Sequence, residues 1–141
     1  MNSRLNLSIR EKYGYTYNLE SNYSAYSDTG IFTIYLGTDL KYLNKATKLV
    51  QKELIKLQEK KLGKLQLHYA KKQLIGQTAI SQENKAGVML AIGKSLLYTG
   101  KVDPLEEVYD KIECITAEEL MDVANEIFDP QNLSSLTFTT K

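Results

Sequence analysis

The hydrophobic period of this chain switches at Asp39, and the switch restricts the folds open to it. Before it, Ile31, Thr33 and Tyr35 alternate with Phe32, Ile34 and Leu36, the period of two that a half-covered strand requires. After it, Leu43, Ala46, Val50, Leu54 and Leu57 recur at three- and four-residue steps, the stripe of a long amphipathic helix. Asp39 stands where a capping residue belongs. One face of the strand is wholly apolar, as the side of a sheet covered by helices should be.

The rest of the chain extends the pattern. Residues 3–13 read as a short helix with Ser3 as cap, Leu5 and Ile9 on one face, and Gly14 for a left-handed exit. Residues 15–26 and 31–37 read as strands joined at Asp28-Thr29-Gly30, with Phe32, Ile34 and Leu36 turned to the helices. Gly63 ends the long helix. A second then carries Leu67, Ala70 and Leu74 as far as Ser81, and a third over about 84–98 turns Met89, Ile92 and Leu96 inward and closes at Gly100. Two capped helices follow, one with Asp103 as cap and Pro104 in its first turn, one with a capping box of Thr116 and Glu119. Asp129-Pro130 ends the last helix, and Leu133 to Thr140 reads as a final strand. The predicted fold is α+β, a single domain over 1–141 with helices on one face of a small antiparallel sheet.

Charge is distributed unevenly around a net +1. Residues 41–101 hold thirteen lysines against Glu53, Glu59 and Glu83, and residues 103–129 hold ten acids against Lys111 alone. No arginine cluster or base-stacking motif accompanies the lysines, so two solvated faces are expected rather than a nucleic-acid surface. No apolar run approaches the ~20 residues of a membrane span, and no charged-then-apolar leader opens the chain. A soluble protein without a membrane partner is expected. Cys114 sits in the apolar run Ile112–Ile115 and reads as a buried structural thiol.

Catalytic chemistry is hard to place here. A zinc site takes three or four ligands from Cys, His, Asp or Glu, and the single histidine, His68, lies far in sequence from the single cysteine. His68 falls off the stripe of its helix and reads as solvent-facing; Ile92-Gly93-Lys94 lies inside a helix and makes no phosphate loop. No metal site and no catalytic residue is expected in this chain. What stands out is tyrosine. Ten occur in 141 residues, and Tyr13, Tyr15, Tyr17 and Tyr23 fall within eleven positions. A strand with that many phenols faces a wet groove or a partner, because each buried hydroxyl needs a hydrogen-bond partner.

The segment from Ser3-Arg4-Leu5 through Arg10-Glu11-Lys12, Gly14 and the tyrosine strand resembles the second homologous half of the insulinase, pitrilysin and mitochondrial-processing-peptidase family of zinc metallopeptidases. "AKKQLIG" (Ala70–Gly76) and the run from Leu96 to Phe128 resemble later motifs of the same half, in the same order. The resemblance implies a partial half-domain whose upstream strands and helix are missing, with Met1 either a fragment boundary or an internal start. It implies that zinc belongs to a missing N-terminal half with a His-x-x-Glu-His motif, and that the partners are that half and a peptide substrate.

By the family pattern, Arg10 and Tyr17, with six residues between them, contact the peptide backbone, and the phenol helps hold a developing oxyanion. By residue type alone, Arg10 is a cation complementing a helix end and Tyr17 a sheet-surface residue; Tyr15 competes with Tyr17 for the role. The expected function is therefore a substrate-clamping piece of a zinc peptidase, inactive alone. The alternative is a structural or regulatory subunit of the same family. The missing strands would leave an open sheet edge, through which a homodimer is expected.

Overall fold

The computed structural model describes residues 3–139. Within them the chain divides into two compact units, one running up to Lys60 and resuming at Met121, the other Lys61–Leu120.

The first unit opens with a helix over residues 4–13, whose middle, Asn6–Glu11, is wound as a π-helix. Ser3 caps it as expected: its Oγ accepts from Asn6 N at 3.3 Å. Gly14 closes it at φ 64°, a conformation that only glycine adopts without strain, and its N–H reaches Arg10 O at 2.9 Å. β1 (Asn18–Ala25) and β2 (Gly30–Gly37) pair antiparallel with Leu19 opposite Leu36, Ser21 opposite Ile34 and Tyr23 opposite Phe32. Directly opposed residues share a face, so these six form the inner side of the sheet. β1 begins three residues later than expected, because Tyr15 and Thr16 precede the ladder and Tyr17 joins it only by its N–H to Gly37 O, 2.9 Å. Tyr23 lies across Gly30, where a Cβ would come within 2.6 Å of the phenol oxygen.

α1 (Leu40–Glu59) packs on that inner face. Ile9, Leu19, Ala46, Val50, Leu54, Ala124 and Phe128 form the core, with Leu5, Tyr15, Ile34, Leu36 and Leu57 against it. Phe32 meets Phe128 edge-on at 5.3 Å between ring centroids, yet stays 40% exposed. The helical stripe after Asp39 and the apolar sheet face thus meet each other, as their periods demand.

The second unit holds α2 (Lys64–Ser81), α3 (Lys85–Thr99) and α4 (Leu105–Cys114); α5 (Ala117–Ile127) begins in it and ends in the first unit. Local caps close these helices. Asn84 Oδ1 accepts from Gly87 N at 3.1 Å, Gly100 closes α3 at φ 72°, and Thr116 and Glu119 exchange both capping-box bonds at 3.2 and 2.7 Å.

Several expectations are corrected. Neither α2 nor α3 buries any residue: Leu74 is 47% exposed, Met89 66% and Leu96 52%. Periodicity states which residues share a face; it does not state that another element covers that face. Cys114 is exposed. It lies two residues past the buried Ile112, and two residues turn a helix by about 200°, onto the opposite side. α4 starts one residue late, with Pro104 at the cap position, because the Asp103 carboxylate is drawn to Lys101 and Lys111 instead. Residues 133–139 form no strand; with no ladder partner among the described residues, their β propensity has nothing to act on. Thr140, the end of that expected strand, lies outside the described residues.

Candidate functional site

The two residues expected to contact substrate both lie in the first unit, on the helix–Gly14–strand segment. Arg10 is in the π-wound turn, half-buried, with no ion-pair or side-chain hydrogen-bond partner among the described residues. Single π-turns recur where a helix re-aims side chains at functional positions. Past Gly14 the side chains part: Thr16 is 5% exposed and Tyr17 65%. Structure therefore separates Tyr17 from Tyr15, which is half-buried against the core. Arg10 and Tyr17 do not bond each other.

The Tyr17 hydroxyl donates to Asp39 Oδ1. Asp39 Oδ2 faces Lys41 Nζ at 3.7 Å. This corrects the reading of Asp39 as a helix cap: it occupies the cap position with extended backbone, but its carboxylate bonds no N–H of α1. The bond to a carboxylate favours the protonated phenol and holds Tyr17 above the ordinary tyrosine value of 10.0, with lesser contributions from desolvation and charge.

The same short stretch fixes the neighbouring tyrosines. Thr38 Oγ1 donates to Tyr15 O. Tyr15 stacks on Tyr42 at 4.7 Å and on Tyr13 at 5.3 Å, and Lys41 and Lys12 lie over the Tyr42 and Tyr13 rings at 4.7 and 5.3 Å. Cations at both ends of a stacked column are favoured by the negative ring faces. Tyr42 and Asp39 were not foreseen as part of the site. The signal available was their position, five and two residues past the strand whose last residue, Gly37, accepts from Tyr17.

Elsewhere the first unit has a cleft of about 230 Å³ bordered by Arg4, Leu5, Phe32, Ile34, Glu53 and Phe128. Arg4 faces the buried Glu53 at 3.5 Å, and Lys56 also pairs with it. In the second unit, Lys61 pairs with Glu118 and Asp103 with both Lys101 and Lys111. These two cations hold the Asp103 carboxyl at about 2, and the Lys61 bond lowers that of Glu118. The lysine-rich and acid-rich segments thus neutralise each other in places.

Among the described residues no group of three His, Cys, Asp or Glu could hold a metal ion. His68 is exposed, its ring edge-on to Tyr69 at 5.8 Å, and Cys114 is exposed without a ligand set around it. The donor set of a zinc centre is not assembled by these side chains. No described helix is long and apolar enough to cross a membrane.

Residues 1–74 match the family described as the peptidase M16 inactive domain. An uncharacterized zinc protease of Rickettsia felis is 37% identical over 96% of this chain, which spans 33% of that protein. An uncharacterized zinc protease of Bacillus subtilis is 30% identical over 91% of the chain, 31% of its own length. The alpha subunit of the rat mitochondrial-processing peptidase is 25% identical over 90% of the chain and 24% of the subunit. In fold, the chain matches one in complex III2 from Candida albicans with a TM-score of 0.79 at 23% identity, over 89% of this chain and 30% of that one. The chain spans about a third of the length of the curated relatives it matches most extensively. The helix–glycine–tyrosine segment, the hairpin and the helix that covers it carry the family's profile, and the chain belongs to the M16 peptidase family, in its inactive domain.

Proposed function

We propose that this chain is the substrate-clamping part of the second half of a zinc peptidase, acting opposite a homologous half that carries the zinc. Its own residues would supply donors, not metal chemistry. A guanidinium fork and a phenol both donate to carbonyl oxygens, and donors aimed at developing charge lower a barrier. One observation carries the reading. Arg10, without a partner among the described residues, and Tyr17, with an outward phenol, lie on one segment set by Gly14, inside the stretch that matches the family. In this role Arg10 would orient an extended peptide by its backbone, and Tyr17 would donate to the oxygen of the scissile carbonyl as negative charge develops there. The chain would not hydrolyse peptides alone. The 40% exposure of Phe32 also supports self-association of the isolated chain through the open part of its apolar sheet face.

With the zinc-bearing half present, Arg10→Ala and Tyr17→Phe are expected to lower kcat/KM about a hundred- to thousandfold each, the usual loss for one transition-state donor. Tyr15→Phe, whose ring is held by Tyr42 and Tyr13, serves as the control with a smaller effect. Near-normal turnover in both variants, with unchanged folding by circular dichroism, would exclude the clamp and leave a structural subunit.

A further inference from the structure

We propose that Asp39 is a positioning residue for Tyr17, parking the phenol proton on a carboxylate that a neutral peptide carbonyl cannot displace but a developing oxyanion can. The inference rests on the clamp reading of Tyr17 and goes past it to how the donor is kept for the transition state.

Three observations converge on Asp39. A phenol has one proton to give, and Tyr17 gives it to Asp39 Oδ1. Asp39 stands at the start of α1, where an aspartate ordinarily accepts from the helix's own free N–H groups, yet it makes no such bond. The carboxylate is used on Tyr17 in place of the cap. Finally, the surrounding stretch fixes both partners. Tyr17 N donates to Gly37 O at 2.9 Å, Thr38 Oγ1 donates to Tyr15 O, Tyr42 N donates to Asp39 O at 2.9 Å, and Tyr42 stacks on Tyr15. Gly37 to Tyr42 forms one cradle for the segment that bears the phenol.

The consequence follows from relative hydrogen-bond strength. A bond to a charged acceptor is roughly twice as strong as one to a neutral acceptor. An amide carbonyl in the bound peptide therefore leaves the phenol on Asp39, whereas an oxygen that gains full negative charge where water is excluded draws it more strongly than a carboxylate 46% exposed to solvent. Tyr17 then contributes little to ground-state binding and much to the transition state, the differential that raises turnover rather than affinity. The charged and titratable groups around the phenol are Asp39, Lys41 on the other carboxylate oxygen, and Tyr42.

Two measurements test this with Asp39→Asn. In the chain itself, a pH titration by tyrosine carbon NMR, with the Tyr17 signal assigned from Tyr17→Phe, should show the Tyr17 phenol ionising above the ordinary value and moving down in Asp39→Asn. An unshifted Tyr17 in the unmodified chain removes the parking bond and overturns the inference. In the protein with its zinc-bearing half, Asp39→Asn should lower KM about two- to tenfold, the span of one neutral hydrogen bond. The change should vanish in the Tyr17→Phe background. If Tyr17→Phe impairs turnover but Asp39→Asn leaves KM unchanged or raised, the parking role fails and the clamp stands. If Tyr17→Phe has no effect on turnover, both fail.

Discussion

The two compact units of this chain are built from comparable lengths of helix, yet one encloses a core and the other does not. In the first, α1 and the end of α5 close over the inner face of the hairpin, and Ile9 is fully buried. In the second, α2 and α3 bury no residue, Leu97 is 87% exposed, and Ile112 is the one buried apolar side chain among the described residues. A sheet face presents a broad apolar surface that one helix can cover. Three helices without a sheet must satisfy one another, and α2 and α3 instead leave large apolar side chains in solvent. The difference places the candidate site sensibly. On the proposed reading, donors that must be held within fractions of an ångström stand on the unit whose packing can hold them.

The sharpest way to break this comparison is a truncation in each unit. Ile9→Ala should cost about 2–5 kcal/mol, because it removes a fully buried side chain and leaves a cavity. Leu97→Ala should stay within about 0.5 kcal/mol. Urea unfolding of both variants reads the contrast directly, and equal losses would show that the face bearing Leu97 is covered in solution.

A smaller effect sharpens the account of the second unit. If its helices hold by their ends more than by a core, Thr116→Ala, which breaks the reciprocal bonds with Glu119, should cost about 1 kcal/mol. Amide exchange should rise most in the first turn of α5, and a silent variant would shift the weight back to packing.

The smallest effect is electrostatic. Asp103 titrates at about 2 when folded against an ordinary 3.8, held down by its bonds to Lys101 and Lys111. A depressed carboxyl stabilises the fold above its unfolded value, and that contribution is lost as pH falls from about 3.8 towards 2. The group is solvent-exposed, so Asp103→Asn should flatten acid unfolding only slightly in that window. No flattening at all would show the two lysines to be solvated.

Local chemistry was readable from the amino-acid order where one short stretch decides the outcome. Ser3, Gly14, Asn84, Gly100 and the Thr116–Glu119 box act within a few residues of themselves, and each does what its type and position imply. The period change at Asp39 likewise determined a hairpin followed by a helix, since a side chain's direction follows from backbone repeat alone. Arg10 and Tyr17 could be singled out by family resemblance, at the spacing the family pattern uses.

Tertiary structure decided everything that depends on a second segment. Asp39 had a local cap to make, and its carboxylate went to Tyr17 instead, because a phenolic donor arrived from outside the helix. Residues 133–139 had strand composition without a strand to pair with, and the stripes of α2 and α3 had apolar faces without a cover. The Tyr15–Tyr42 stack and the bond between Tyr17 and Asp39 join residues more than twenty positions apart. A propensity is a property of one stretch of chain, whereas pairing, burial and the destination of a proton are properties of two.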